Sequence, residues 1–531
     1  MNRLLLVLTI VAVAWSSSCS SGSSTPPPPP SGGFNNASLK GSYVFSMTGS
    51  TDSGGAVTSF SRVGVFIADG GGGIATTGGL EDIHALGADN IFNITGGSYV
   101  VNADGRGTLN IIESSGTFQY SIALASSTTG YMVDMTTGDT ETASGSFSIQ
   151  TATAIATGTY AFDFSGIITD DTGNPVSIVG DLVVPTAGAG SFTTGSNTGP
   201  NSFWDVNDNG TFATKASIPG VYATDTSNGG TGRGLATIGG LDFVYYVIDG
   251  QHVQFMGIDQ DAAAPGTLQG EAIAQQAGTP NDVTAFNNSN FVFVVGGTGG
   301  SSGPLARAGR LTATGASLSA ILLDNNNAGT VKTVPPSGVL SAGTATLDGD
   351  GSGRGTFTFT DTISNTGTFT FVFYLSSATS GVIQDVSTVV SGGIATAVDV
   401  ADGTLLGQVG APFTSSSLAT AYAFNWSGAD PLEEDFVGAF TPANASPNGL
   451  VDYNEFTAGK QFLNTPFNGV VTIGGDGTGS TGQHNTFVAG ITGSPAVTIN
   501  YFAYIANPST ILVMGTDSKR VIAGVLAAQT Q

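Results

Sequence analysis

Large apolar and small residues alternate with a period of two along most of the chain. Residues 43–47, 118–124 and 369–373 are clear examples. Because successive side chains of a β-strand point to opposite faces, this alternation predicts strands with one buried face. Gly- and Asp-rich stretches such as 103–107 separate the strands and are typical of hairpin turns.

Four features recur in the same order along the chain, which indicates an internal repeat. The first is an aromatic alternation at 43–45, 160–162, 291–293 and 422–424. The second is an Asp with an Asn or His two positions later, at Asp82/His84, Asp205/Asn207, Asp324/Asn326 and Asp452/Asn454. The third is a Gly-rich turn that ends in Arg-Gly at Arg106, Arg233 and Arg354, with Ser480 near this position in the last copy. The fourth is a closing strand that ends at Asp134, Asp259, Asp385 or Asp517.

These repeats predict four β modules, at residues 37–151, 154–277, 285–400 and 417–531. In the first module the pattern predicts eight strands, near 42–48, 62–69, 79–84, 97–103, 107–113, 117–125, 130–136 and 144–151. No helix-length crossover joins them, so neighbouring strands are expected to pair antiparallel.

An even-numbered meander can close on itself and so remove its exposed edges. We therefore predict an all-β fold of four tandem antiparallel modules, each a small up-and-down barrel. A two-sheet β-sandwich is the alternative. Pairing of a module's last strand with its first would distinguish the barrel from the sandwich.

Composition and charge narrow the range of partners. Charged residues make up 10% of the chain, and 38 acidic against 13 basic residues give a net charge of −25. This acidic balance excludes nucleic acid as a partner. The three histidines, His84, His252 and His484, lie at unrelated positions in three modules, and no pair has the spacing of zinc ligands.

The N-terminus carries an export pattern. Arg3 precedes an apolar run at 4–15, which is shorter than the roughly 20 residues of a membrane-spanning helix. Three serines and Cys19, the only cysteine, follow this run. This beginning resembles bacterial lipoprotein precursors, and the resemblance implies a signal peptide at 1–18 and lipid attachment at Cys19. Residues 19–36, with five consecutive prolines, are expected to form an extended tether.

One segment suggests a metal site. Asp205, Asn207 and Asn209 alternate in front of a glycine, as the oxygen ligands of a calcium loop do. The twelfth position of such a loop should be Glu, and here it is Ala216. Asp and Asn also form turns by bonding to their own backbone, so a turn is the other interpretation. No further cofactor is expected.

Two aromatic pairs have two interpretations. Tyr245, Tyr246, Phe373 and Tyr374 would suit contact with a sugar or a peptide, or they would fill the barrel interior. No catalytic arrangement is recognisable in the sequence, and we predict no catalytic residue and no enzyme activity.

The sequence therefore predicts a lipid-anchored repeat protein of the cell envelope, at the outer membrane or cell surface, with a role in adhesion, binding or scaffolding. Its expected partners are the membrane, through the lipid anchor, and a surface polysaccharide or protein. A ligand-holding β-barrel is an alternative, which needs an interior lined by small residues. An extracellular polymer hydrolase is a second alternative, which needs two carboxylates at a defined separation.

Overall fold

The computed structural model describes residues 33–531, except for short gaps at 53–56, 86, 139–140, 168–173, 195–200, 229, 260–266, 300–302, 335–338, 362–366, 388–389, 392–393, 396–398, 430–432, 443–447, 456–459, 475–484 and 492–496. The predicted signal peptide, Cys19 and most of the tether lie outside the described residues. The described part is almost entirely β, with 38 strands and three 3-10 turns at Asn36–Ser38, Val283–Ala285 and Ser415–Ser417. Among the described residues, no helix has the length and apolar character needed to span a bilayer.

The first sheet is a closed barrel. Its strands are β1 (Lys40–Asp52), β2 (Val57–Asp69), β3 (Gly73–Ile74), β4 (Gly79–Ala85), β5 (Ala88–Val101), β6 (Arg106–Glu113), β7 (Thr117–Leu124), β8 (Thr129–Asp134) and β9 (Glu141–Ile149). Pairing runs through eight of them, all except the short β3, and returns from β9 to β1 with Ile149 opposite Tyr43. This first-to-last pairing confirms the barrel and not the sandwich. The fifth strand begins at Ala88 and not near residue 97, because its first half pairs with β4.

The second sheet is a half-barrel. Its strands are β10 (Gly158–Ile167), β11 (Pro175–Val184), β12 (Ala189–Ser191), β13 (Phe203–Asp208), β14 (Thr211–Ser217), β15 (Gly220–Thr224), β16 (Arg233–Ile238), β17 (Leu241–Val247), β18 (His252–Gly257) and β19 (Thr267–Ala274). The last strand again pairs with the first, but β12 and β14 end the ladder. The break between β14 and β15 falls at Ile218 and Pro219, where proline has no N–H to donate to a ladder.

The third sheet closes as the first does. Its strands are β20 (Ser289–Gly299), β21 (Gly303–Thr314), β22 (Ser317–Asn327), β23 (Thr330–Val334), β24 (Gly343–Leu347), β25 (Arg354–Asp361), β26 (Gly367–Leu375), β27 (Ser380–Asp385) and β30 (Val400–Gly407). A separate two-stranded ladder pairs β28 (Val390–Ser391) with β29 (Ile394–Ala395).

The fourth sheet is a closed eight-stranded barrel. Its strands are β31 (Tyr422–Ala429), β32 (Glu433–Phe440), β33 (Gly449–Glu455), β34 (Lys460–Thr472), β35 (Asn485–Ile491), β36 (Val497–Asn507), β37 (Thr510–Gly515) and β38 (Val521–Ala528). Each strand pairs with its sequence neighbours, and β38 returns to β31. The prediction of a small barrel in every module is thus confirmed for three modules, and the second module forms a half-barrel.

Each sheet surrounds its own apolar core, to which the aromatic side chains of its first strand contribute. In every module one of these phenylalanines lies opposite a glycine of the second strand. The four pairs are Phe45 and Gly64, Phe162 and Gly180, Phe293 and Gly309, and Phe424 and Gly438. A Cβ atom at any of these glycines would lie less than 3.0 Å from the phenyl ring. The ring therefore needs glycine as its neighbour.

The four modules are joined into a closed ring. The second strand of each module contacts the last three strands of the next: β2 on β17–β19, β11 on β26, β27 and β30, β21 on β36–β38, and β32 on β7–β9. The fourth module thereby returns to the first, and all four interfaces are of the head-to-tail type that can close a ring. The second strands are covered on both faces, by their own barrel core and by the next module, and residues of both faces are therefore buried along β2 and β11.

Candidate functional site: the ring interfaces and the axial cavity

The repeated Asp and Arg residues meet across the first two interfaces. Asp82 of the first module accepts hydrogen bonds from Nε and Nη2 of Arg233 in the second, at 2.8 and 2.7 Å, and from the Tyr246 hydroxyl at 2.5 Å. All three side chains are at most 4% exposed. The Asp82 carboxylate raises the pKa of Arg233 and holds its charge. A bidentate pair with its remaining oxygen valences filled is the geometry in which a buried charge is tolerated.

Within the described residues, the other two interfaces show part of this arrangement. Asp324 of the third module accepts a hydrogen bond from Tyr504 of the fourth. Ser480, near the predicted arginine position of the fourth module, lies outside the described residues. Asp452 of the fourth module accepts a bond from Nη1 of Arg106 in the first, at 3.2 Å, but Ala123 occupies the place of the tyrosine. Among the described contacts, the tyrosine is thus seen at the interface of the third and fourth modules, and the arginine at that of the fourth and first.

The repeated Asn side chains also cross the interfaces. Asn207 donates to the carbonyls of Asp385 and Asp399 at 3.3 and 2.8 Å. Asn454 donates to the carbonyl of Asp134 at 3.0 Å, and Asn326 to that of Asp517 at 3.2 Å. A buried amide donor is costly without an acceptor, so these contacts fix the position of each neighbour. Three of the Asp residues that end the closing strands, Asp134, Asp385 and Asp517, are therefore the backbone partners of the repeated Asn residues.

The structure places the three predicted calcium ligands at a turn beside an interface. Both Asp205 oxygens accept bonds from Arg354 of the next module, each at 2.7 Å. The Asn207 Oδ1 accepts the backbone N–H of Gly210 at 3.0 Å, and Asn209 has a φ of 44°. Within the described residues, no three His, Cys, Asp or Glu side chains are placed to hold a metal ion. The calcium site remains a prediction, and its Asp oxygens are already engaged.

The aromatic pairs are divided between two environments. Tyr245 and Phe373 belong to the cores of the second and third modules. Tyr246 and Tyr374 face outward from their own sheets and pack against the neighbouring module. All four are fully buried, so an exposed sugar-contacting face built from them is wrong. The interpretation as interior filling holds for only one residue of each pair, because period two sends neighbouring residues to opposite faces.

A cavity lies on the axis of the ring, where residues from all four modules meet. It consists of two adjacent compartments of about 530 and 460 Å³, which share Thr48 and Ser165 in their walls. The small faces of the first strands line it, since their aromatic faces point into the barrels. Hydroxyl side chains are prominent in this lining, among them Ser46, Thr48, Ser50, Ser165, Thr298 and Thr404.

The cavity is acidic. Asp163 and Glu271 of the second module lie directly opposite each other across β10 and β19. Asp402 and Glu433, from the third and fourth modules, line the other compartment. None of the described lining residues is a lysine or an arginine. Burial, with Glu271 nearby, raises the pKa of Asp163 to about 7, and burial next to Asp163 raises the pKa of Asp402 well above its usual range.

The cavity could not be predicted from the sequence, because its carboxylates come from three modules and meet only when the ring closes. A signal was nevertheless present. The first strand of the second module reads Tyr160-Ala-Phe162-Asp163-Phe164-Ser165, so a charged residue stands on the face opposite three buried aromatics. A charge in the middle of a strand that is apolar on its other face indicates a polar environment on that side.

No protein-family model matches the chain, and no curated protein matches it. Among solved structures, it is similar to a double mutant of the vaccine antigen Transferrin Binding Protein B (TbpB) from Haemophilus parasuis Hp5, with 11% identity, 76% of this chain and 83% of that chain covered, and a TM-score of 0.18. A single mutant of the same antigen gives 10% identity, coverages of 76% and 82%, and a TM-score of 0.16. Similarity at this level carries no functional argument.

Proposed function

We propose that the chain is a lipid-anchored protein of the cell envelope that acts outside the cytoplasm as a rigid scaffold for binding or adhesion. The observation that carries this proposal is the closed ring of four modules. The ring is fixed by buried side-chain contacts at each interface and follows a stretch of sequence expected to be an extended tether. A rigid body on a flexible tether can present one fixed surface to a polysaccharide or protein partner at a distance from the membrane.

The scaffold is favoured over a ligand-holding barrel by the packing inside the modules. In the fourth barrel, for example, the rings of Phe424 and Trp426 stack with centroids 4.0 Å apart, and Phe467 and Phe487 pack against Trp426. A barrel of this size has room either for its own side chains or for a small ligand. Here the side chains occupy that room.

Membrane fractionation of cells that express the full chain tests the anchor. The Cys19→Ala variant removes the only thiol, and the expected result is its loss from the membrane fraction. Ser18→Ala, one position earlier, is the matched control and is expected to stay with the membrane. Equal partitioning of wild type and Cys19→Ala would exclude lipid anchoring at this residue.

The side of the membrane is tested separately. Protease added to intact cells is expected to degrade the wild-type chain, because display on the outer face of the cell envelope exposes the chain to the enzyme. Protection in intact cells, with degradation only after lysis, would rule out display at the cell surface.

A further inference from the structure

The carboxylates of the axial cavity lie at three levels along the ring axis. The repeated aromatic positions align the first strands, so that Ser46 of β1 corresponds to Asp163 of β10, Thr48 to Ser165, and Ser50 to Ile167. Asp163 and Glu271 therefore occupy the first level.

Contacts between modules show at which level each of the remaining carboxylates lies. Asp402 accepts a hydrogen bond from the Ser165 hydroxyl and lies at the second level. Asp435, which is buried and lines neither compartment, lies behind the wall at the same level, where it accepts a bond from Ser144, the register partner of Thr48, at 2.6 Å. Glu433 bonds to Ser50 and lies at the third level. Successive levels are two residues apart along a strand, which is about 7 Å.

Two further polar groups point to a ligand at the second level. Ser61, the register partner of Thr48, is fully buried in the cavity wall. Its hydroxyl has no hydrogen-bond partner within the described residues. Gln269, the register partner of Ser165, is 6% exposed, and its Oε1 also has no partner there. Buried polar atoms are rarely left unpaired, and both of these can accept a hydrogen bond from a donor in the cavity.

A positively charged ligand would offset the acidic groups that line the cavity. Carboxylates directly opposite each other, as Asp163 and Glu271 are, destabilise a sheet. No lysine or arginine among the described lining residues offsets them. A single metal ion is a poor fit, since the described residues offer no cluster of three ligands and the carboxylates are spread over several levels. A linear molecule with separated ammonium groups fits the distribution of carboxylates over several levels and over the two adjacent compartments.

We propose that the axial cavity is a binding site for a linear aliphatic polyamine with three ammonium groups. Each ammonium lies at one level of carboxylates and donates to their oxygens and to the neighbouring hydroxyls. The central ammonium also donates to Ser61 and Gln269. A four-carbon spacer has about the length that separates adjacent levels. This site depends on ring closure and not on the lipid anchor. A test of the site is therefore independent of a test of the proposed cellular location.

Isothermal titration of the full chain with spermidine tests the site, at about 0.15 M salt to screen the acidic outer surface. The expected result is one spermidine bound per chain, with weaker binding of putrescine, which has one ammonium fewer. The Asp163→Asn/Glu271→Gln variant should bind spermidine at least about tenfold more weakly, since it removes the two carboxyl groups that accept bonds from the ammonium at the first level. The control Asp242→Asn removes a charge from the exposed face of the same module and should bind as the wild type does.

Thermal unfolding of each variant shows whether a loss of spermidine binding comes from misfolding of the variant. The double variant removes a repulsive pair and is expected to be at least as stable as the wild type. Ser165→Leu, which narrows the shared wall of the two compartments without a change of charge, should also weaken binding. The proposal is overturned if the wild type binds no spermidine, binds several per chain, binds calcium as tightly as spermidine, or binds spermidine equally well after the two carboxylates are removed.

Discussion

Asp205 and Arg354 are 149 positions apart in the chain and form a bidentate ion pair between the second and third modules, with both N–O distances at 2.7 Å. The Tyr374 hydroxyl donates a third bond to the same carboxylate, also at 2.7 Å. The same three residue types meet at the interface of the first two modules. These contacts join the first module to the second and the second module to the third.

Asp205→Ala should lower the free energy of unfolding by about 3–5 kcal/mol, because it leaves the buried Arg354 guanidinium without its main partner. The Asp205→Ala/Arg354→Ala double variant should lose less than the sum of the two single variants. Urea unfolding of the full chain measures both effects, with the exposed Asp242→Ala as control. Additive losses would mean that the two side chains do not interact across the interface.

Gly180→Ala should destabilise the second module by about 1–3 kcal/mol through overpacking, because the new methyl group would meet the Phe162 ring. Gly250→Ala is the matched control in the same module, since a Cβ there has no neighbour within 4 Å. Thermal unfolding compares the two variants. Equal melting temperatures would contradict the requirement for glycine beneath the aromatic ring.

The stability of the chain should fall as the pH rises from about 4 to about 7. Burial raises the pKa of Asp163 to about 7 and that of Asp435 to about 6, so the folded state holds protons that the unfolded state has already released. This contribution is complete below the unfolded pKa and is lost as the pH passes the folded value.

Urea unfolding at about pH 5 and about pH 7.5 measures this loss, and Asp163→Asn should reduce it by on the order of 2 kcal/mol. Asp242→Asn should leave it unchanged. A pH dependence that is identical in wild type and Asp163→Asn would show that Asp163 titrates normally.

Removal of calcium should leave the melting temperature unchanged. A ligand that binds only the folded state would stabilise it, but both Asp205 oxygens are already bonded to Arg354. Melting curves recorded with chelator and with added calcium provide the comparison. A rise in melting temperature with calcium but not with magnesium would contradict this expectation and support the calcium site at Asp205.

The local sequence pattern predicts the fold of a module, but it does not predict that the modules form a ring. The alternation at 43–47 predicts which face of β1 is buried, because side-chain direction in a strand follows from sequence alone. The repeated Asp205 and Asn207 were recognisable as marks of a repeat, but their partners lie in another module. Nothing within one module distinguishes a residue that forms a turn from one that also crosses an interface. The axial carboxylates could not be predicted from one module, since Asp163 and Asp402 approach each other only across the interface between the second and third modules.

Closure of the ring sets the copy number of the repeat. In an open array, duplication adds a unit at one end and leaves every existing interface intact. Here Arg106 of the first copy contacts Asp452 of the last, and Gln529, after the last strand of the fourth copy, donates to the Asp104 carbonyl of the first copy. A fifth copy would separate these residues, and the loss of one copy would require a different angle at every remaining interface. Gene duplication can therefore have built this protein, but further duplication is no longer neutral.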